Sequence, residues 1–445
     1  MACRTALSGR TFAGILIGER AGGVMTETWR GRVIPAALAL AVAASLSMGV
    51  ARAQAHSSAT CGNEGNLSLD DRIVGCTAVI EAAAARQQSD AFARLRRAEA
   101  YALKGQLDLA IADYDRIIER DPNDVAARLR RASVHLLQRD PEAATADFDK
   151  IIATDRRNVD ALIGRAMLRF AKRDFDGAVA DYGQALRVHP ENLTAYVGRS
   201  RAYRSMRDLD RAMDDCSKAI EIGPQRDDGY VCRGEIYLSK SDLDRAVADF
   251  ERAIQVDAKS SRGFAGMAIV QQRRGEIDAA MASLNQAIGL DPKNFGLYRS
   301  RAFLYLEIGD VQDAASDFSR SLEPNPRDRY VQLWLDVARR RSAQPSQLAE
   351  VAKGLNLSAW PGPIIRFYLG EITFSELMSK ADDPDPSKLN GQMCTANYFA
   401  GEFALAEKDQ GKAAKLLGEA VNICPDGFAA STVARAELRS LGTNP

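Results

Sequence analysis

The stretch VDALIGRAMLRFAKRDFDGAVADYGQALRVHPEN, residues 159–192, runs without a gap into LTAYVGRSRAYRSMRDLDRAMDDCSKAIEIGPQR, residues 193–226. Both are 34 residues long, and the same register extends in each direction to make seven copies over residues 91–328. The copies start at Ala91, Val125, Val159, Leu193, Asp227, Ser261 and Phe295. A fixed period in this range sets the architecture before any local reading does. Position 8 is small throughout: Ala98, Ala132, Ala166, Ser200, Gly234, Ala268, Ala302. Position 20 is always alanine: Ala110, Ala144, Ala178, Ala212, Ala246, Ala280, Ala314. Position 24 is large or apolar: Tyr114, Phe148, Tyr182, Cys216, Phe250, Leu284, Phe318. Position 32 is proline in five copies.

Small residues at 8 and 20 let two helices approach closely, and the residue at 24 fills the space beside them. Position 16 is mostly acidic (Asp140, Asp174, Asp208, Asp242, Asp310, Glu276), where aspartate can cap the second helix. Pro141 follows Asp140 at the helix position that proline favours. Proline at 32 ends the second helix. These residues resemble the tetratricopeptide repeat. The resemblance implies an all-α fold, an α-solenoid of helix hairpins in a right-handed superhelix, with helical caps at its N- and C-terminal ends.

Comparing copies exposes a pair. Position 7 is arginine in six copies (Arg97, Arg131, Arg165, Arg199, Arg233, Arg301). Position 23 is aspartate in the same six (Asp113, Asp147, Asp181, Asp215, Asp249, Asp317). The remaining copy lacks both, with Met267 and Ser283. Either one copy has degenerated by chance, or arginine and aspartate pair between the two helices of a hairpin. We expect the pair, as a ladder that specifies register more than it adds net stability.

Outside the array, residues 25–53 read as a signal peptide. Arg30 and Arg32 precede the apolar run Val33–Val50, and Ala51-Arg52-Ala53 is an A-x-A cleavage site. The expected division is a signal peptide over 1–53, with Met25 an alternative start. An arm and capping helix follow over 54–90, the seven copies over 91–328, and divergent helices over 329–392. An eighth hairpin with a C-terminal capping helix fills 393–445. The expected compartment is the periplasm, and an uncleaved N-terminal anchor is the alternative. No membrane span is expected after cleavage. Six cysteines remain beyond Cys3, an even number that points to disulfides in an exported chain. Cys61 with Cys76 and Cys394 with Cys424 are the candidate pairs; free buried thiols are the alternative. Cys216 and Cys232 sit on successive helices, and a bond between them is not expected.

The C-terminal third resembles the bacterial envelope lipoprotein NlpI. The residues that carry this are Leu333-Trp334-Leu335, Trp360, Phe367-Tyr368-Leu369-Gly370, Leu377-Met378, Thr395-Ala396-Asn397-Tyr398-Phe399-Ala400-Gly401 and Glu437-Leu438 with Leu441-Gly442. The resemblance implies a periplasmic adaptor that presents clients such as cell-wall hydrolases to a processing protease. This chain departs from it in lacking a lipid-attachment cysteine and in its longer array.

Chemistry is sparse. Lysine plus arginine and aspartate plus glutamate both number 59, so no basic excess points to nucleic acid. No P-loop, nucleophile-elbow or H-E-x-x-H motif occurs, and the three histidines are scattered. The sequence therefore implies no enzyme, no catalytic residue, no metal, no cofactor and no small-molecule substrate. The candidate surface is the inner wall, built from positions 2, 5, 9 and 12 of the first helices, which share one face. Met167, Phe170, Arg201, Arg204, Glu235 and Phe303 are the candidate groove residues. The expected partners are proteins or peptides of the cell envelope. Trp334, Trp360, Phe367 and Tyr368 are candidate C-terminal anchors, with core packing as the alternative. A homodimer is a further option. The alternative function is a structural component of an envelope or export assembly.

Overall fold

The computed structural model describes residues 60–62, 67–425 and 427–443. The expected signal segment 1–53, Met25 and Gln54, the residue expected to begin the chain after cleavage at Ala53, lie outside the described residues. Among the described residues, every regular element is helical. The chain divides into two compact units, one ending at Arg120 and one starting at Asp121.

In the first unit, α1 (Leu69–Ala85) begins where the Ser68 hydroxyl accepts the Asp71 amide at 3.1 Å. The first copy follows as α2 (Ala91–Leu103) and α3 (Leu107–Arg120). Cys76 and Ile80 of α1 pack with Cys61 and Ala93. A Cys61–Cys76 disulfide, Cα–Cα 4.6 Å, ties the arm to α1. Arg97 donates to Thr77 at 2.9 Å, so α1 takes the place of a preceding second helix.

The second unit carries the other six copies as helix pairs. They are α4 (Val125–Leu137) with α5 (Pro141–Thr154), α6 (Val159–Ala171) with α7 (Phe175–Val188), and α8 (Leu193–Ser205) with α9 (Leu209–Ile222). Then come α10 (Asp227–Ser239) with α11 (Leu243–Val256), α12 (Ser261–Arg273) with α13 (Ile277–Leu290), and α14 (Phe295–Ile308) with α15 (Val311–Ser321). The local causes repeat with the period. Asp140, Asp174, Asp208, Asp242 and Asp310 each accept an amide of the following helix; Glu276 makes no such bond. The first helices are capped from position 34 as well, by Asp124, Asn158, Asn192 and Ser260. Each cap satisfies an amide that the helix leaves unpaired, which is worth about 1 kcal/mol.

The small residues at 8 and 20 are buried where the two helices of a copy meet. In the second, third and fifth copies the bulky residue at 24 reaches forward to position 6 of the next copy. The Phe148 ring lies where a Cβ on Gly164 would stand, and Tyr182 does the same to Gly198. At the corresponding junction between the fourth and fifth copies the residues are Cys216 and Cys232. They form a third disulfide, Cα–Cα 5.5 Å. The bond replaces the aromatic–glycine contact used elsewhere, so successive helices do bring these two cysteines together, contrary to the sequence expectation.

The 34-residue register continues further than the sequence suggested. Helix α16 (Arg329–Arg341) occupies positions 1–13 of an eighth copy, capped by Asp328. Ala343 takes the left-handed conformation (φ 56°) that Arg139, Arg173, Arg207 and Ser241 take at position 15. The Phe318 and Trp334 rings, positions 24 and 6, stack at 6.3 Å. The register is broken only after this helix, by α17 (Leu348–Ala352), α18 (Gly362–Tyr368) and α19 (Phe374–Ala381). The final hairpin also starts earlier than the expected residue 393: α20 (Pro386–Ala406) begins within the stretch assigned to divergent helices before pairing with α21 (Gln410–Ile423). A Cys394–Cys424 disulfide, Cα–Cα 4.7 Å, joins the two. The last helix, α22 (Ala429–Ser440), packs on α20 and α21 and also on α14.

Candidate functional site

The ladder residues lie between the two helices of each hairpin. Arg97, Arg131, Arg165, Arg199, Arg233 and Arg301 each donate twice to one aspartate: Asp113, Asp147, Asp181, Asp215, Asp249 and Asp317. The Arg199–Asp215 bonds measure 2.9 and 2.7 Å. All six carboxylates are buried. Hydrogen bonding to aspartate holds the Arg97, Arg165, Arg199, Arg233 and Arg301 guanidiniums above their usual range. In the sixth copy, the Ser283 hydroxyl donates to Gln271 at 2.8 Å instead. These groups are saturated and serve the scaffold.

Two residues from Arg199, on the same helix α8, Arg201 points the other way. It borders a cavity of about 250 Å³ lined by Met167, Phe170, Tyr182, Val197, Arg201 and Arg262, together with Leu193, Thr194, Gly198 and Asp228. Apart from Tyr182 on α7, these residues come from first helices, at inner-wall positions that the spacing predicts or beside them. Met167 is 57% exposed, an apolar side chain left to solvent on the wall. Gly198 keeps the floor open, because the Tyr182 ring occupies the space of a side chain there. Burial pushes the Tyr182 phenol up to about 12, so it stays neutral.

The charges around this cavity do not balance. Arg204 pairs with Glu235 at 3.0 Å. Arg262 stands 3.6 Å from both Asp228 and Glu235, beyond hydrogen-bond length, and its buried Nη2 has no hydrogen-bond partner. The Arg201 side chain makes no ion pair or hydrogen bond among the described residues; only its carbonyl accepts, from the Ser205 hydroxyl. Burial, with Arg262 and Arg204 nearby, lowers its pKa below the usual arginine value. The cluster thus sets three guanidiniums against two carboxylates. Arg262 was not among the sequence candidates. Its signal was its place at position 2 of the sixth copy, one of the four wall positions.

The other candidates are core residues. Phe303 is not on an open groove: its ring lies 5.3 Å from Phe318 and 4.9 Å from Trp334. Trp334 is 6% exposed and also meets Tyr398 and Phe399 at 4.7 and 5.2 Å. Tyr368 is buried and donates to the Phe399 carbonyl at 2.8 Å. Phe367 packs on Phe403 at 5.1 Å. Trp360, like Phe303 and Phe367, is half-buried against the same cluster. An aromatic residue with this many ring neighbours contributes to the core and is unavailable to a partner. Between this cluster and the inner wall, α22 encloses a second cavity of about 390 Å³, bordered by Ile269, Gln272, Phe303, Thr432 and Val433. No group of histidine, cysteine and carboxylate among the described residues could hold a metal.

Sequence models of the tetratricopeptide repeat match residues 78–125, 104–159, 163–227, 228–260 and 265–329. Together they cover more than half of the chain. The chain belongs to the tetratricopeptide-repeat family. This tetratricopeptide protein is also similar to solved structures. A thermophilic tetratricopeptide protein from Thermus thermophilus matches at 21% identity and TM-score 0.38, over 40% of this chain and 98% of that one. A tetratricopeptide protein from Parabacteroides merdae matches at 17% and 0.38, over 71% and 98%. PilF of Pseudomonas aeruginosa matches at 16% and 0.39, over 48% and 96%. Tetratricopeptide arrays are protein-interaction scaffolds.

Proposed function

We propose that this tetratricopeptide protein is a non-catalytic periplasmic scaffold that holds envelope proteins or peptides against the inner wall of its third to sixth copies. The observation that carries the reading is the wall itself. Exposed Met167 and neighbouring Phe170 lie beside a half-buried arginine side chain without an acceptor, and a monomer gains nothing from leaving such an apolar and charged patch open. Three disulfides use all six cysteines after Cys3, which supports an oxidising compartment. The signal-like segment supports export. Among the described residues no helix is long and apolar enough to cross a membrane. The resemblance of the C-terminal third to NlpI supports the narrower role of presenting clients such as cell-wall hydrolases to a processing protease. A structural role in an envelope assembly is favoured by one observation: α22 already covers the wall at α14, which shortens the groove open to clients.

The test is capture from an envelope extract by the chain from Gln54 onward, with Met167→Asp as the paired variant. Capture of a protease or hydrolase that the variant loses supports the adaptor role. Capture of secretion or export components supports the structural role. A captured set that Met167→Asp leaves unchanged overturns the groove assignment.

A further inference from the structure

The cavity beside Arg201 has a chemistry that narrows what can fill it. We infer that it takes an acidic side chain, aspartate or glutamate, of an extended protein segment that also carries an apolar residue nearby. This rests on the reading of the inner wall as a protein-binding surface and goes further, because it states the chemistry of the occupant.

The argument begins with what each arginine lacks. Arg199, on the same helix, donates twice to Asp215, whereas the half-buried Arg201 side chain borders the cavity with no acceptor. Across the cavity, Arg262 faces Asp228 and Glu235 only as long ion pairs of 3.6 Å, and its buried Nη2 makes no hydrogen bond. A carboxylate between the two would accept charge-assisted hydrogen bonds from both and neutralise the excess charge. The neighbouring carboxylates limit how much negative charge fits. Asp228 lines the cavity and Glu235 already holds Arg204. A polyanion such as a nucleic acid would meet both, so a single carboxylate is the better match. The opposite wall is apolar, with Met167, Phe170 and Val197, and suits a hydrocarbon side chain.

The geometry also sets a spacing. Neighbouring helices stand about 8–10 Å apart, and an extended chain advances about 3.3 Å per residue. A segment crossing the first helices therefore places its apolar residue within about three positions of its acid. A volume of about 250 Å³ has room for these side chains and none for a folded domain.

The experiment selects a phage-displayed library of random 12-residue peptides on the full chain, on Arg201→Gln, on Arg262→Gln and on Met167→Asp. Far-UV circular dichroism and melting establish that each variant is folded, and Arg201→Lys serves as the charge-retaining control. The expected result is enrichment of one aspartate or glutamate within three residues of an apolar residue on the native chain. That acidic enrichment is lost on Arg201→Gln and Arg262→Gln and partly kept on Arg201→Lys. Converting the acid of a selected peptide to its amide weakens binding about tenfold or more by fluorescence anisotropy, and 0.5 M salt weakens it in the same direction. Selection of acid-free apolar peptides that still require Met167 overturns this inference and leaves the protein-binding reading intact. So does acidic enrichment that persists on both glutamine variants. If no peptide is selected, or if selection ignores Met167, both fall together.

Discussion

Two stretches of the same inner wall end differently. From α6 to α12 the wall is open, with Met167 in solvent and Arg201 unpaired. At α14 the chain's own last helix lies on it, and Phe303 joins a cluster of rings centred on Trp334. The first helices are alike in both stretches, so the repeat does not distinguish them. What differs is whether the C-terminal part of the chain returns to cover the wall. A residue at position 9 is therefore a binding candidate in the third and fourth copies and a core residue in the seventh.

The largest test of this contrast is in the covered stretch. Trp334→Ala removes a ring with four aromatic neighbours and is expected to cost about 3–5 kcal/mol in urea unfolding. Met167→Ala, on the open stretch, should stay within about 0.5 kcal/mol. Comparable losses at the two sites would erase the distinction between covered and open wall.

Next is the staple behind the open stretch. Cys216 and Cys232 enclose a separation of 16 residues, and replacing both by serine should lower stability by about 3 kcal/mol. Thermal unfolding with and without reductant measures this. A double variant as stable as the oxidised parent would mean that the junction does not depend on the bond.

An effect set by pH, and absent at acid pH, belongs to the covered stretch. Glu402 is 4% exposed. Burial, with Glu437 adding to it and Arg341 opposing it, pushes its carboxyl up to about 7. An unfolded glutamate titrates near ~4.3. Between those values the folded state keeps a proton that the unfolded state has lost, so stability falls as pH rises, by at most about 1.4 kcal/mol per pH unit. Above the folded value the loss is complete. Glu402→Gln should match the parent near pH 4 and exceed it at pH 8, as read by melts across that range. A parallel pH dependence in the two proteins would exclude Glu402 as the source.

The smallest effect is on the open wall. Arg201→Gln removes a guanidinium without a partner, so stability should change by less than about 0.5 kcal/mol, even though Arg201 is partly buried. Denaturant midpoints check this. A loss of several kcal/mol would reveal a structural role for Arg201 like that of Arg199.

Much of the fold could be read from the repeat because its contacts are local. A period that brings position 7 opposite position 23 in one hairpin does so in every hairpin, and the absence of both Arg and Asp from the sixth copy marked the pair. The Cys216–Cys232 bond was harder to see, since it joins neighbouring copies across positions 24 and 6, a contact that the aromatic–glycine pairs also make. The eighth first helix was obscured because Asp336 stands where every earlier copy has a small residue. Its cap and its left-handed turn survive, but neither stands out in composition. The wall positions were legible as a face, which is how Met167, Phe170 and Arg201 were found. Arg262 was missed because it lines the same cavity as Arg201 from two copies away, a proximity that the spacing within one copy does not encode.

The amino-acid sequence by itself determined the helices, their pairing and the saturated ladder, since each depends on residues less than one repeat apart. Tertiary structure alone decided which part of the inner wall remains open. That depends on where α22, more than a hundred residues beyond α14, comes to rest, and on which guanidiniums the packing of copies two apart leaves without a hydrogen-bond acceptor.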